Sequence, residues 1–156
     1  MNSTEQRLST REVDPEVYRA VSHLSQYVRN SGLDQGLRAL VDIRASQVNH
    51  CAWCLDMHVV EARQAGIEQR QIDLVAAWRE AGTLFSPREQ AALALTEAVT
   101  LISEDGVADE VWGDVTAVFD EKETVQLLMA IATINVYNRM NVAVRTALGP
   151  EPFSPG

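Results

Sequence analysis

Cysteine is nearly absent from this chain of 156 residues: there are two, Cys51 and Cys54, three positions apart. A framework of several disulfides is therefore excluded, and a lone close pair points to redox, catalytic or metal chemistry rather than to a structural staple. Lysine is scarcer still, with Lys122 alone beside twelve scattered arginines and no basic run. At a formal net charge of −9, nothing would attract phosphates over long range, which argues against nucleic acid and anionic membranes as partners. No apolar run approaches the roughly 18 to 20 residues that span a bilayer, so no transmembrane helix is expected. The opening MNSTEQRLSTREVD is polar and lacks the apolar stretch of a secretory signal, so the expected location is the cytoplasm. Strand signals are missing too: no run alternates with period two, and no Asn-Gly or Asp-Gly turn joins β-rich segments. There is no low-complexity linker or short-period repeat.

What is present is helical pattern from end to end. Asp14-Pro15 is an N-cap followed by proline at the first helical position, and Val17, Val21, Leu24 and Val28 then recur at helical spacing until Asn30-Ser31-Gly32. A second helix is predicted from Asp34 toward Asn49, with Leu37, Leu40 and Val41 inward. A third carries the cysteines and ends at Gly66, and residues 68–81 read as a fourth. Ser86-Pro87-Arg88-Glu89 is a capping box, and the helix it opens, AALALTEAVTLI, is apolar nearly all round and so belongs at the centre of the core. A shorter helix near 108–119 and a long one over about 121–147 complete an all-α chain of about seven helices. The expected organisation is one helical domain over residues 14–148, flanked by a flexible N-terminal tail (1–13) and a C-terminal tail (149–156).

The chemistry concentrates in NHCAWCLDMH, residues 49–58. At about 100° per helical residue, Cys51, Cys54 and His58 fall within roughly 60° of one another on one face. Positions i and i+3 lie about 5–6 Å apart, within disulfide range. If Asn49 caps this helix, both thiols sit in its first turns, where the partial positive charge favours thiolate. A thiolate can take oxygen from a hydroperoxide, its neighbour can condense with the sulfenic acid, and an external dithiol can reduce the disulfide. His58 can accept the thiol proton or relay one to the leaving alkoxide. Two other readings compete. The cysteines and histidine can be ordinary core residues. Zinc could take Cys51, Cys54 and His58, but no second pair closes a tetrahedral site, and His50 points away from the other three. Dithiol redox chemistry is favoured over both.

The segment LVDIRASQVNHCAWCLDMHVVEARQAG resembles the core motif of the AhpD-like alkylhydroperoxidases, the CxxCxxxH branch of the carboxymuconolactone decarboxylase superfamily. The similarity extends through AAWREAGTLFSPREQAALALTEAVTLI and ATINVYNRMNVAVRT, covering about residues 35–146. The resemblance implies an all-helical fold assembled as a homo-oligomer, a trimer or hexamer, and peroxidase activity on organic hydroperoxides without metal, flavin or other cofactor. It implies that Cys54 is the peroxidatic thiol, Cys51 the resolving thiol and His58 part of a proton relay, with a lipoyl or thioredoxin-like protein as dithiol reductant. Two positions depart from the family pattern. The glutamate expected twelve residues before the first cysteine is Ala39, and the glycine often found just before that cysteine is His50. Asp42, one turn along the same helix, and Glu61, one turn after His58, are the candidate substitutes for the missing carboxylate.

Other residues have a functional and a plainer reading. Trp53 could wall a hydroperoxide pocket, though packing is the commoner role; Tyr137, Asn138 and Arg139 could line the site or a subunit contact, though helix packing with a solvated arginine is preferred. Trp112 and Phe119 are candidates for burial between subunits. The function read from the sequence is a thiol-dependent peroxidase. The alternatives are a redox-sensing or stress-linked oligomeric dithiol protein with weak turnover, or a decarboxylase-like enzyme with incidental cysteines.

Overall fold

The helices follow one another as α1 (Thr10–Val13), α2 (Pro15–Asn30), α3 (Gln35–Val48), α4 (Ala52–Gln64), α5 (Gln69–Leu74), α6 (Pro87–Thr100), α7 (Ile102–Asp105), α8 (Asp109–Val118) and α9 (Glu121–Val144). Two 3-10 segments, Val75–Glu80 and Gly82–Leu84, lie between α5 and α6. This computed structural model describes residues 5–154, and among the described residues there is no β-strand. The expected starts are realised by capping. Asp14 accepts from the backbone N–H groups of Glu16 and Val17, Asp34 from Leu37, and Ser86 with Glu89 closes the predicted capping box. Asp120 and Glu123 form a second box at the head of α9. Each such cap satisfies donors that the first turn cannot pair internally, worth about 1 kcal/mol.

Among the described residues nine helices stand where about seven were predicted, and the extra two are the single turns α1 and α7. The helix of residues 87–100 stops because Leu101 leaves helical geometry, and α7 then runs only to Gly106, whose φ is +66°. Residues 68–81 divide in two: α5 gives way at Leu74 to a tighter 3-10 segment broken at Ala77. That winding sets Trp78 against α6, where its Nε1 donates to Glu97 Oε1 at 2.9 Å. Arg44 from α3 donates to the same carboxylate at 2.7 Å, and Arg79 donates to its other oxygen. Burial alone would raise the Glu97 pKa, but these donors hold it below the ordinary carboxylate value.

α3 is the central helix, packed against α4, α6 and α9. Leu37 and Val41 enter one apolar cluster with Val28, Leu95, Leu127 and Ile131. Ala39, Leu40 and Ile43 enter a second with Ala62, Val75, Trp78, Phe85 and Leu93. α6 supplies both clusters, as its all-round apolar sequence predicts. Burying a side chain such as Leu40 is worth about 1.5–3 kcal/mol, so these two clusters are what hold the polar site in place. Gly36 on α3 lets the side chain of Ile67, in the loop after α4, lie close: a Cβ there would meet Ile67 Cδ1 at 2.8 Å. On α2 only Val21 and Val28 are buried, while Val17 and Leu24 remain exposed. Phe119 lies in the core of this chain beneath the Arg88 guanidinium, whereas Trp112 is 43% exposed. At the two ends of the described chain, Arg7 N–H donates to Val144 O, Ala147 N–H to Gln6 Oε1, and Phe153 N–H to Asp56 Oδ2 on α4. No described helix is long and apolar enough to cross a membrane.

Candidate active site

The turn between α3 and α4 presents the dithiol. α3 ends in a Schellman arrangement, with His50 N–H donating to Gln47 O and Cys51 N–H to Ser46 O. His50 supplies the left-handed residue that this closure demands, at φ +55°. That requirement explains why glycine suits this position, since any residue with a Cβ is strained there. The His50 side chain points outward and is exposed.

Asn49 does not cap the cysteine helix, as the sequence suggests; it closes α3, and Cys51 caps α4 instead. The reason is that the Asn49 amide is spent elsewhere. Its Nδ2 donates at 2.9 Å to both Asn135 Oδ1 and Asn138 Oδ1 on α9. Asn138 in turn donates to Ser46 Oγ at 3.0 Å and Asn135 to Thr100 Oγ1 at 3.0 Å. Arg139 also donates to Asn135 Oδ1. This buried amide network ties the loop before the dithiol to the last helix.

Cys51 and Cys54 are joined by a disulfide across one helical turn, with Cα atoms 5.3 Å apart. Both are buried, at 2% and 0% exposure. Cys54 stands in the first turn of α4, and its backbone N–H points at Cys51 Sγ at 3.4 Å. A second donor approaches from α9: Asn141 Nδ2 lies 3.5 Å from Cys54 Sγ. Its amide orientation is set by Thr146, whose hydroxyl donates to Asn141 Oδ1 at 2.8 Å, leaving the NH2 group to face the sulfur.

His58, one turn beyond Cys54, is 7% exposed. Its Nδ1 lies 2.8 Å from Glu61 Oε2 and 3.7 Å from Asp42 Oδ2, so both candidate carboxylates converge on one nitrogen and Glu61 makes the hydrogen bond. If Nδ1 donates there, the neutral ring carries its lone pair on Nε2, which is buried and has no hydrogen-bond partner among the described residues. Burial pushes the Asp42 carboxyl up to about 6, against the pull of His58 and Arg38. Burial lowers the His58 pKa, but Asp42 and the Glu61 hydrogen bond more than offset this and hold it above its ordinary value. Glu61 is held low, chiefly by its bond to His58. Ala39, where the resemblance expects glutamate, is buried and borders a cavity that Glu61 also lines, so a carboxylate does reach this region, from α4 instead of α3.

A second cavity of about 290 Å³ opens between α2, α3, α4 and α9. Trp53, Met57, His58 and Tyr137 line it, while neither cysteine does. Trp53 and Tyr137 thus face a cavity, whereas Asn138 and Arg139 serve the amide network. Among the described residues, the atoms that could share a metal ion are those of Asp42, His58 and Glu61, all within 4.8 Å of one another. The two thiols do not join them, so the cluster differs from the Cys51–Cys54–His58 set considered from spacing.

Residues 15–98, which hold Asp42, the dithiol, His58 and Glu61, match the carboxymuconolactone decarboxylase family. The chain belongs to this family. It is 38% identical over 139 residues to the uncharacterized protein YdfG of Bacillus subtilis (strain 168), covering 89% of this chain and 94% of that one. A family structure from Agrobacterium tumefaciens, of unknown function and provisionally named as an AhpD antioxidant-defence protein, superposes with a TM-score of 0.91. It is 37% identical, and the match covers 94% of this chain and all of that one. The debrominase Bmp8 shares the fold at a TM-score of 0.80 and 17% identity, over 90% of this chain and 75% of its own. The all-helical, AhpD-like architecture expected from the CxxCxxxH segment is the one observed.

Two participants escaped the sequence reading. Arg38 precedes Asp42 by one helical turn, a spacing that could have flagged it. Asn141 lies 87 positions from Cys54, and no local pattern links them.

Proposed function

We propose that this protein is a thiol-dependent peroxidase that reduces small organic hydroperoxides. The observation that carries the reading is a dithiol at the head of α4 with, one turn on, a buried histidine whose Nδ1 is engaged by Glu61 and whose Nε2 is unpaired. In the reduced protein His58 Nε2 takes the Cys54 proton, and the helix N-terminus and the Asn141 amide stabilise the thiolate. The thiolate attacks the distal peroxide oxygen; the O–O bond breaks, and the alkoxide takes the proton from His58 to leave as alcohol. Cys54 is then a sulfenic acid. Cys51 displaces its hydroxyl as water to form the disulfide, and an external dithiol, of lipoyl or thioredoxin-like type, returns two electrons and two protons by exchange. Glu61 orients the imidazole through its hydrogen bond, and Asp42 adds a second attraction from 3.7 Å. Assembly as a trimer or hexamer belongs to the same proposal, with exposed apolar residues such as Trp112 and Val125 as the surface to be covered.

A second reading, a redox sensor with slow turnover, is favoured by the burial of both sulfurs. Thiol mass spectrometry after one equivalent of cumene hydroperoxide separates the two. Disulfide formation in seconds, lost in Cys54→Ser, supports the peroxidase, and oxidation over many minutes supports the sensor. No change at either cysteine supports a decarboxylase-like enzyme with incidental thiols. Equal steady-state peroxidase rates in Cys54→Ser and wild type would overturn the assignment.

A further inference from the structure

The cavity beside His58 carries an unspent cation. Its acidic and basic lining residues are Arg29, Arg38, Asp42, His58 and Glu61. Asp42 and Glu61 are committed to His58, and Arg29 reaches Glu61 at 3.5 Å. The Arg38 guanidinium makes no hydrogen bond and no ion pair among the described residues, and the residue is half-buried on α3, where it also borders the cavity next to Ala39. It acts on Asp42, Glu61 and His58 only through longer-range attraction or repulsion. A guanidinium has five donors in a planar fork, and leaving them partly desolvated without an acceptor is unfavourable. The partner that fits the fork is a carboxylate, bound through two parallel hydrogen bonds.

The rest of the cavity restricts what bears that carboxylate. Val28, Trp53, Met57, Ala130 and Ile134 form apolar wall, and a volume of about 290 Å³ suits an aryl or short acyl group rather than a long chain. A phosphate would ask for several donors, and the Ser22, Ser25 and Tyr137 hydroxyls that line the cavity already donate to Tyr18 O, Ser22 O and Ser25 Oγ, so among the described residues Arg38 is the free cation there. A cationic ligand would compete with His58 for both carboxylates. Charge points the same way. The chain as a whole carries −9, yet in the cavity Arg29 and Arg38 balance Asp42 and Glu61, and a proton passed from Cys54 to His58 leaves that balance unchanged, because the thiolate it creates stands one helical turn away. An anion repelled by the general surface meets no net repulsion there, and Arg38 supplies the local attraction.

We propose that this cavity binds a small apolar monocarboxylate with its carboxylate on Arg38, so that the preferred substrates are carboxylate-bearing organic hydroperoxides rather than neutral ones. The substrate part rests on the peroxidase reading; the binding part does not. Trp53 and Met57 then hold the apolar body beside His58, and Arg38 sets which end of the molecule enters.

Two measurements on the full chain keep these parts separate. Titration calorimetry of benzoate against benzamide tests the site without any turnover. Benzoate is expected to bind about ten- to a hundredfold tighter, the range for a charge-assisted hydrogen-bonded pair. Arg38→Gln should remove that difference, and Arg38→Lys should restore only part of it because the ammonium lacks the fork. The second measurement is the ratio of kcat/KM for a para-carboxylated cumene hydroperoxide to that for cumene hydroperoxide, expected to be about tenfold in wild type and near one in Arg38→Gln. Turnover of both peroxides at equal kcat/KM, with benzoate and benzamide binding alike, overturns this inference and leaves the peroxidase reading standing. If neither peroxide is turned over, that reading falls, and the benzoate difference with its loss in Arg38→Gln alone decides the site.

Discussion

Two buried polar clusters flank the dithiol, and they are built on opposite terms. On the α9 side, Asn49, Asn135, Asn138, Ser46 and Thr100 form a set of uncharged side chains, joined by Arg139 at its edge and closed upon itself by hydrogen bonds. On the α2 side, Asp42, His58 and Glu61 are ionisable, their pKa values are displaced, one ring nitrogen has no partner and a cavity opens beside them. A neutral, satisfied network fixes geometry; a charged, incompletely paired one stores the capacity to move a proton. The first positions the loop that the second acts beside.

The comparison can be tested by damaging each side in turn. The largest effect is expected from His58→Gln, which keeps a polar side chain but removes the relay. The rate constant for Cys54 oxidation by cumene hydroperoxide should fall about 10²- to 10⁴-fold, and some stability should be lost as well, because the buried Asp42 and Glu61 lose the ring that faces them. A rate within threefold of wild type would remove His58 from the mechanism.

Asn138→Ala is the matching lesion on the neutral side. It strands the Ser46 hydroxyl and one N–H of the Asn49 amide in a buried site and opens a small cavity, so urea denaturation should show a loss of about 2–4 kcal/mol. The pH at which His58 titrates, followed by NMR, should stay where it is. A displaced titration would mean that the two clusters are one.

Asp42→Asn is expected to act through pH. The folded Asp42 carboxyl ionises near 6 against an ordinary 3.8, so between about pH 4 and 6 the unfolded chain has lost a proton that the folded chain retains. Stability therefore declines across that window, and the penalty persists above it. His58, with its raised pKa, contributes stability below its ordinary 6.5 that is lost as pH rises through its folded value, which adds to the decline. The substitution should flatten the profile: no gain at pH 4, and a gain of at most about 3 kcal/mol at pH 7. An equal gain at both pH values would show that burial of the charge is not the cause.

The smallest effect lies between the clusters. His50→Gly relieves a left-handed residue in the Schellman turn and should raise stability by about 1 kcal/mol, read from the urea midpoint, without altering Cys54 reactivity.

Local signals account for what could be read in advance. The capping residues Asp14, Asp34 and Ser86 announce their helices because each hydrogen bond they make closes within three residues. The spacing of Cys51, Cys54 and His58 likewise forces them onto adjacent turns of one face. Where the reading failed, the deciding partner was distant in the chain. Asn49 resembles a helix cap until α9 claims its amide, and residues 68–81 resemble one helix until Trp78 must meet Glu97.

By itself, then, the sequence determined an all-helical chain, a dithiol one turn apart and a histidine one turn further, because helix geometry converts spacing directly into proximity. The packing of α2, α3 and α9 around α4 decided the rest: that Glu61 and Asp42 share one nitrogen of His58, that Asn141 faces Cys54, and that Arg38 is left free beside a cavity. Those contacts join residues through space, and which side chains meet across a helix interface depends on how the apolar faces interlock, which no short stretch of sequence encodes.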